Sequence, residues 1–217
     1  MYQCCIFDLD GTIIDTIESI THSVNLTMKQ VGMGAVDQDH VKVFVGDGFK
    51  KLVERSLIYL GDEKLLHYDE ALDIYEKVFE ENCLYKIKPY DGILDLLLFL
   101  KERGIKIAVL TNKSHERGME CVESCFGTGF FDLITGEGNG IACKPDPAGA
   151  FYTADYFHVS PSRCLYLGDT NTDMKTGIAA GMDTVAVTWG FRKKEELMKF
   201  NPKYMADHPE KIKEIFA

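Results

Sequence analysis

The sequence predicts an α/β protein whose parallel sheet is interrupted by a helical insertion. A short apolar run over residues 4–7 ends abruptly in acidic and turn-forming residues, as a buried strand does. Only helical patterns follow in residues 16–85, whereas short β-rich runs alternate with helical patterns in residues 86–217. Strands that alternate with helices pair in parallel in doubly wound sheets. We therefore assign residues 1–15 and 86–217 to one core domain and residues 16–85 to an inserted helical domain.

The first apolar run is typical of a buried strand that brings reactive groups to its own end. Residues alternate between faces in an extended chain, so Asp8 and Asp10 project to one side. Gly11 lets the backbone turn sharply and approach a ligand closely. Two carboxylates so placed repel each other unless a hard divalent cation such as Mg²⁺ lies between them. The alternative is a solvated Asp-Leu-Asp-Gly turn after an edge strand.

The insertion begins with a helix, because Ile17, Ile20 and Val24 recur at helical spacing before Gly32 ends the pattern. Further helical segments are predicted over about residues 37–45, 49–60 and 62–84. A Gly46-Asp47-Gly48 turn separates the first two of these, and the extended segment from Tyr85 to Gly92 returns the chain to the core.

The rest of the core follows in alternation. Strands are predicted over residues 106–110, 133–135, 164–167 and 184–187, and helices over residues 93–103 and from about His115, Pro147 and Asp173. Ser114 is the expected N-cap of the second of these helices and Asp146 that of the third.

Polar side chains are expected to converge at one edge of this sheet, because ligands bind at the carboxyl ends of parallel strands. The side chains at or after those ends are Asp8, Asp10, Thr111, Asn112, Lys113, Lys144, Asp169 and Asp173. Each alone has an ordinary interpretation as a surface lysine, a loop start or a helix cap. Together they predict a site for a phosphate and a metal, with Lys144 as its main cation.

Two carboxylates of this set suit the chemistry of phosphate ester hydrolysis. Asp8 can attack phosphorus to give an aspartyl phosphate, which divides one difficult hydrolysis into two easier steps. Asp10 can protonate the leaving alkoxide and afterwards take a proton from the water that cleaves the intermediate.

The remaining residues of the set suit binding. Thr111 and Asn112 can donate hydrogen bonds to the phosphoryl oxygens, and Lys144 can neutralise charge on those oxygens and on Asp8. Asp169 and Asp173 can complete a magnesium site directly or through waters.

The composition narrows the partners. The 217 residues carry a net charge of −10, which disfavours nucleic acid and anionic membranes. No apolar run approaches a membrane span, and the first charge comes too early for a secretory signal, so we expect a cytoplasmic protein. The seven scattered cysteines are expected to be reduced and mostly buried. The expected ligand is a small phosphorylated metabolite, and the expected state is a monomer or homodimer.

The chain resembles the haloacid dehalogenase-like hydrolases. The segments that match the motifs of that family, in the family's order, are Asp8-Leu9-Asp10-Gly11-Thr12, Leu110-Thr111-Asn112, Lys144-Pro145, and Gly168-Asp169 with Asp173. The resemblance implies a Rossmann-like three-layer sandwich with a helical cap domain, and Mg²⁺ bound by Asp8, the Asp10 carbonyl and Asp169. The dehalogenase branch lacks an acid at the position of Asp10, so the resemblance implies a phosphatase.

Within that family the sequence is similar to phosphoglycolate phosphatases. The similar segments are residues 44–49, Leu52-Val53-Glu54-Arg55 and Thr188-Trp189-Gly190-Phe191. This similarity implies a small carboxylated phosphate monoester as substrate. We expect the turn between the second and third cap helices to close over the core, with Gly46, Gly48 and Lys50 contacting the substrate.

Other interpretations share parts of the pattern. Beta-phosphoglucomutases and pyrophosphatases have the same core. Phosphonoacetaldehyde hydrolases share it too, but they use a lysine in the first cap helix, where this chain has only Lys29, near the helix end. A response-regulator receiver, a phosphorylation-dependent signalling domain, also combines a phosphorylatable aspartate with an acidic metal site, Thr and Lys. Receivers are shorter, carry no cap, and place no acid two residues after that aspartate.

Overall fold

Strand β1 (Cys4–Phe7) lies in the middle of a sheet of six parallel strands. The computed structural model describes residues 1–138 and 140–216; Asn139 and Ala217, both within the predicted core domain, lie outside the described residues. In spatial order the strands are β5 (Leu133–Glu137), β4 (Lys106–Ser114), β1, β6 (Cys164–Gly168), β7 (Asp183–Val187) and β8 (Tyr204–Ala206).

The apolar side chains of β1 pack on both faces of the sheet. Cys5 and Phe7 belong to one buried cluster, which includes Leu96 and Leu97 of a flanking helix. Cys4 and Ile6 belong to another, with Ala150 and Ala154 of a helix on the opposite face. A strand covered on both faces has to be apolar throughout, which explains why all of its residues are buried.

The helices of the core complete a three-layer α/β arrangement. They are α5 (Ile93–Glu102), α6 (His115–Phe126), α7 (Ala148–Tyr156), α8 (Asn171–Ala179), α9 (Lys194–Leu197) and α10 (Pro209–Lys213). The predicted fold class, a Rossmann-like sandwich with a parallel sheet, is confirmed.

Four helices fill the insertion between β1 and α5. They are α1 (Ile17–Gln30), α2 (Gln38–Phe44), α3 (Phe49–Tyr59) and α4 (Tyr68–Asn82). The two connections to the core pair with each other as antiparallel strands β2 (Ile14–Asp15) and β3 (Lys88–Pro89), which were not predicted because two residues show no periodicity. The domain boundaries, between residues 15 and 16 and between residues 85 and 86, stay a prediction.

Local differences from the predicted elements matter for the site. Strand β4 continues to Ser114 rather than ending at Leu110, so Thr111, Asn112 and Lys113 belong to the strand itself. Ser114 stands at the N-cap position of α6, but its side chain makes no capping hydrogen bond there, so its predicted capping role is wrong. The N-cap of α7 is Pro147 rather than the predicted Asp146, but the Asp146 carboxylate, one residue further out, accepts a hydrogen bond from the amide of Ala148 at 2.9 Å.

Helix α8 begins two residues earlier than predicted. Thr170 is its N-cap, and its hydroxyl and the Asp173 carboxylate form a reciprocal capping box. Asp173 therefore lies inside the first turn, where its carboxylate also reaches the sheet edge.

Five of the seven cysteines are buried, as predicted: Cys4, Cys5, Cys83, Cys121 and Cys164. Within residues 1–138 and 140–216, no helix has the length and apolar character needed to cross a bilayer.

Candidate active site

Three buried carboxylates meet at the carboxyl ends of β1 and β6. One oxygen from each of Asp8, Asp169 and Asp173 lies within 4.8 Å of the others. The parallel topology places these strand ends side by side, since Phe7 of β1 pairs with Leu167 of β6. The structure therefore brings together three of the predicted acidic residues.

Lys144 bridges two of these acids. Its ammonium Nζ donates one hydrogen bond to Asp8 Oδ1 and one to Asp173 Oδ1, and each donor–acceptor distance is 2.7 Å. The Lys144 side chain is buried. Burial disfavours the charged form of Lys144, but Asp173 and Asp8 outweigh that effect and hold the pKa of Lys144 above its usual range. The lysine stays cationic beside the nucleophile candidate.

Asn112 holds the backbone that carries Lys144. The Asn112 side chain accepts from the Lys144 amide at 2.8 Å and donates to the Lys144 carbonyl at 2.9 Å. It also donates to the Gly46 carbonyl in the insertion at 3.1 Å. The Asn112 amide group thus holds the backbone of Lys144 and Gly46 in place. Its contact with a phosphate stays a prediction. Thr111 is buried beside it, and its hydroxyl accepts from the Lys113 amide at 3.1 Å.

Asp169 is held against the chain that follows β1. Its carboxylate accepts from the Phe191 amide at 2.7 Å and from the Thr12 hydroxyl at 3.0 Å. Gly11 has a φ of +85°, and a side chain there would overlap the Asp169 carboxylate. Thr12 and Phe191 stand in motifs of the sequence, but their contacts with Asp169 were not predicted.

Asp173 has both oxygens engaged. Oδ1 accepts from Lys144, and Oδ2 accepts from the Thr170 amide at 3.0 Å and the Thr170 hydroxyl at 2.6 Å. Asp173 still lies within the group of carboxylates that could hold a metal, and whether it would bind the metal directly or through water stays a prediction.

The electrostatics of the acidic cluster fit an added cation. Burial raises the pKa of Asp8 well above its usual range, Asp173 raises it further, and Lys144 opposes them. Burial, and then Asp173, likewise raise the pKa of Asp169 to about 7. Lys144 alone thus leaves negative charge uncompensated, and oxygen donors of this kind suit Mg²⁺. Asp8, Asp169 and Asp173 are the side chains that lie close enough together to hold it, and the Asp10 carbonyl stays a predicted ligand.

Lys113 is a functional candidate to which the sequence analysis gave no role. Its Nζ lies 2.8 Å from Asp10 Oδ1, and the two side chains are 5% and 13% exposed. Burial disfavours its charged form, but Asp10 outweighs that effect and raises the pKa of Lys113 above its usual range. Lys144, with two acidic partners, stays the main cation at this edge, but the expectation of little other positive charge there was wrong, because a second ammonium lies beside the second acid.

The acids open into a cavity of about 250 Å³ between the core and the helical insertion. Its floor includes Asp8, Asp10 and Lys144, and its far wall includes Phe49 and Tyr75 of the insertion. Most of the polar groups therefore lie on the core side, and the facing wall is mainly apolar but also includes Glu76 and Glu80 of α4.

The predicted turn reaches this cavity. Gly46 and Gly48 line it, whereas Lys50 is exposed and is not among its lining residues. Between the two glycines, Asp47 accepts from the Thr172 hydroxyl at 2.7 Å and from Arg55 at 2.5 Å. The turn is docked on the core through Asp47, and the predicted role of Lys50 finds no support in this geometry.

Comparisons with known proteins agree with this geometry. Residues 5–187 match the family model described as haloacid dehalogenase-like hydrolase. The phosphoglycolate phosphatase of Aquifex aeolicus is 32% identical over 87% of this chain and 85% of that protein. The phosphoglycolate phosphatase of Colwellia psychrerythraea is 29% identical over 94% and 92%.

A solved structure extends the similarity to the whole fold. A Lactobacillus delbrueckii subsp. bulgaricus protein, proposed to be a phosphoglycolate phosphatase, superimposes with a TM-score of 0.92 at 32% identity, covering 99% of this chain and 98% of that one. The resemblance predicted from the motifs is confirmed.

Proposed function

Because the chain belongs to the haloacid dehalogenase-like hydrolases and is therefore a hydrolytic enzyme, we propose that it is a magnesium-dependent phosphatase of small phosphate monoesters. The observation that carries this proposal is the buried pairing of Asp8 with Lys144 at 2.7 Å on the floor of a cavity that Asp10 also lines. A nucleophile, a charge-balancing cation and a second acid thus face one small space.

In the first half-reaction a carboxylate oxygen of Asp8 attacks phosphorus. A new bond between that oxygen and phosphorus forms as the bond between phosphorus and the ester oxygen breaks. Asp10 delivers a proton to the departing alkoxide, which leaves as an alcohol. Lys144 keeps the attacking carboxylate oriented and offsets charge on the transferring group.

In the second half-reaction the aspartyl phosphate is hydrolysed. Asp10, now a carboxylate, takes a proton from the attacking water, and the bond between phosphorus and the Asp8 oxygen breaks. Inorganic phosphate leaves and Asp8 is regenerated. Asp169 and Asp8, with the Asp10 carbonyl, would hold Mg²⁺, which supplies positive charge for the phosphoryl oxygens.

The substrate we propose is a short phosphate ester that carries a carboxylate, such as phosphoglycolate. Two kinds of support favour it: the curated relatives named above bear that name, and the cavity of about 250 Å³ suits a small metabolite. The wall made by Phe49 and the glycine turn would close over its leaving group.

The test is a screen of phosphate esters with the purified protein, ranked by kcat/KM, with Mg²⁺ and then with excess chelator. We expect phosphoglycolate to rank above neutral alkyl phosphates, and chelator to silence all turnover until Mg²⁺ is restored. Acid quenching during turnover should trap phosphate on Asp8. Full activity in chelator would contradict the magnesium requirement, and the absence of turnover on every ester would contradict the phosphatase.

A further inference from the structure

The ion pair between Lys113 and Asp10 is unusual for its burial. The Lys113 side chain is 5% exposed, and its Nζ lies 2.8 Å from Asp10 Oδ1 without the alignment of a hydrogen bond. Within residues 1–138 and 140–216, no other carboxylate lies within ion-pair distance of this ammonium. Removing two charges from water costs free energy that a single pair rarely repays, so fold stability alone is a poor reason to keep it.

The other contacts of Lys113 fix its position. Its Nζ lies 4.9 Å from the ring centroid of Phe79, which belongs to α4 of the insertion, and 3.9 Å from Cys121 Sγ of α6. A cation over an aromatic face is held electrostatically, more strongly where water is excluded. The long lysine side chain is thereby confined between the core and the insertion, with its charge directed at Asp10.

Phe79 is itself one end of an aromatic stack. Its ring lies 5.4 Å from that of Tyr75 with an interplanar angle of 8°, and Tyr75 lies 5.9 Å from Phe49 at 7°. Phe49 is the first residue of α3 and directly follows the glycine turn. A continuous row of side chains therefore runs from the turn to Asp10.

We propose that Lys113 is a positioning residue that holds the Asp10 carboxylate where proton transfer requires it, and that Phe79 positions Lys113. The inference rests on the proposed phosphatase function, in which Asp10 exchanges a proton with the leaving group. A proton donor has to lie within hydrogen-bond reach of the leaving oxygen, and a short shift of its carboxylate removes that contact. The position of α4 thus controls the geometry of the proton-transfer group.

The kinetic test uses Lys113→Met, which keeps the apolar stem but removes the charge. With phosphoglycolate, whose alkoxide needs a proton, kcat/KM should fall by about 30- to 100-fold, less than the roughly 100- to 10,000-fold that a positioned acid contributes, because Asp10 itself remains. With para-nitrophenyl phosphate, whose phenolate leaves unaided, the loss of kcat/KM should stay below about 5-fold, because kcat/KM reports only the steps up to departure of the leaving group and excludes the second half-reaction. Lys113→Arg should recover most of the activity, because it retains the cation.

Matched controls separate positioning from general damage. Lys106→Met removes a lysine of the same strand that pairs with Asp132 on the surface. This variant should leave kcat/KM unchanged for both esters. Phe79→Leu should also lower kcat/KM more for phosphoglycolate than for para-nitrophenyl phosphate, but by a smaller factor. Phe130→Leu removes another ring with a lysine over its face, Lys101 at 4.5 Å from the centroid, and this ring does not line the cavity. Phe130→Leu should show no difference between the esters. The double variant Lys113→Met with Phe79→Leu should be no worse than Lys113→Met alone, since both act through one contact.

A structure of Lys113→Met provides a readout independent of turnover. We expect the Asp10 carboxylate to leave its position or to adopt several rotamers. Equal losses of kcat/KM on the two esters, additive effects of the two variants, or an Asp10 that stays in place would each overturn the inference. If the unaltered enzyme hydrolyses neither ester, the phosphatase proposal fails. The position of Asp10 in the structure of Lys113→Met then still decides whether Lys113 positions Asp10.

Discussion

The Nη2 atom of Arg192 donates a hydrogen bond of 2.6 Å to the carbonyl oxygen of Val45, at the C-terminal end of α2. The same guanidinium donates to the carbonyls of Lys42 and Val43. The last carbonyls of a helix lack partners within it, and a cation satisfies both their hydrogen bonds and their partial negative charge. Arg192 therefore ties the insertion to the loop after β7.

That loop also serves the acidic cluster. The amide of Phe191, the neighbour of Arg192, donates to Asp169, and the Trp189 indole donates to the Thr12 carbonyl at 3.0 Å. One segment thus contacts a candidate metal ligand, the turn after β1 and the insertion. The position of the insertion and the position of Asp169 are therefore both fixed by contacts with this segment.

Replacing Arg192 with Met should loosen the docked insertion, because α2 loses the cation at its C-terminal carbonyls. We expect KM for phosphoglycolate to rise by about 3- to 10-fold, which corresponds to about 1 kcal/mol of binding free energy, comparable with the net contribution of one ordinary hydrogen bond. Steady-state kinetics measure it. Arg103→Met is the control, since Arg103 is exposed and stacks on the half-buried Phe99 at the surface of the core domain, away from the cavity. A similar rise of KM in Arg103→Met would contradict the idea that Arg192 acts by docking the insertion on the core.

Asp8→Asn should abolish turnover while leaving the fold intact. The amide is nearly isosteric with the carboxylate but is a poor nucleophile, and Lys144 keeps its partner Asp173. Activity assays measure the first effect, and far-UV circular dichroism with thermal unfolding measures the second. Asp95→Asn, an exposed position on α5, should behave like the unaltered enzyme. Near-normal turnover in Asp8→Asn would end the nucleophile assignment.

The strand-end acids could be predicted because topology alone brings them together. Once the strands are parallel, Asp8 after β1 and Asp169 after β6 have to be neighbours, whatever their rotamers. The pairing of Lys113 with Asp10 could not be predicted in the same way. It depends on the direction of a long side chain that the aromatic wall of the insertion confines.

Contacts between the insertion and the core escaped prediction for a related reason. Arg192 and Val43 are 149 positions apart, and no periodicity links residues across such a distance. Strand β8 escaped because Tyr204-Met205-Ala206 is too short to show an alternating pattern. Sequence patterns thus indicated what the topology fixes, and they missed what side-chain packing between the two units decides.

The metal-free protein should lose stability as the pH rises toward 7. Asp169 has a pKa of about 7 when folded, against 3.8 as its usual value, so between these values the folded state holds a proton that the unfolded state has lost. The contribution of Asp169 to the free energy of unfolding is therefore fully present below about pH 3.8, decreases as the pH rises from 3.8 to about 7, and is lost above about pH 7. Thermal unfolding in chelator at several pH values measures the trend.

Mg²⁺ should act with the opposite pH dependence, because protons compete with the cation for Asp169. The rise in Tm on adding Mg²⁺ should be larger at about pH 8 than at about pH 5.5. Asp169→Asn should reduce both effects, while Asp155→Asn, an exposed position at the end of α7, should preserve them. An equal Mg²⁺ effect at both pH values would contradict the predicted role of Asp169 as a ligand.

The glycine turn offers a test of where substrate choice resides. Gly48 has a φ of +86°, and the nearest atom to an added Cβ is the Asn112 carbonyl oxygen at 4.0 Å. Space is thus available, and a side chain at this position would act through backbone strain of about 1–3 kcal/mol rather than through a clash. Gly61, at the end of α3, has a φ of +100° and no atom within 4 Å of an added Cβ, and it does not line the cavity.

Gly48→Val should therefore shift the turn and with it Phe49, which raises KM and lowers kcat for phosphoglycolate. The effect on para-nitrophenyl phosphate should be several-fold smaller, because that ester leaves readily and gains little from contacts with the turn. Gly61→Val carries the same kind of strain and should lower Tm to a similar extent, yet leave the kinetics with both esters unchanged. The comparison of kcat/KM for two esters in two variants separates specificity from stability. Equal losses on both esters in Gly48→Val would mean that the turn supports the fold and does not select the substrate.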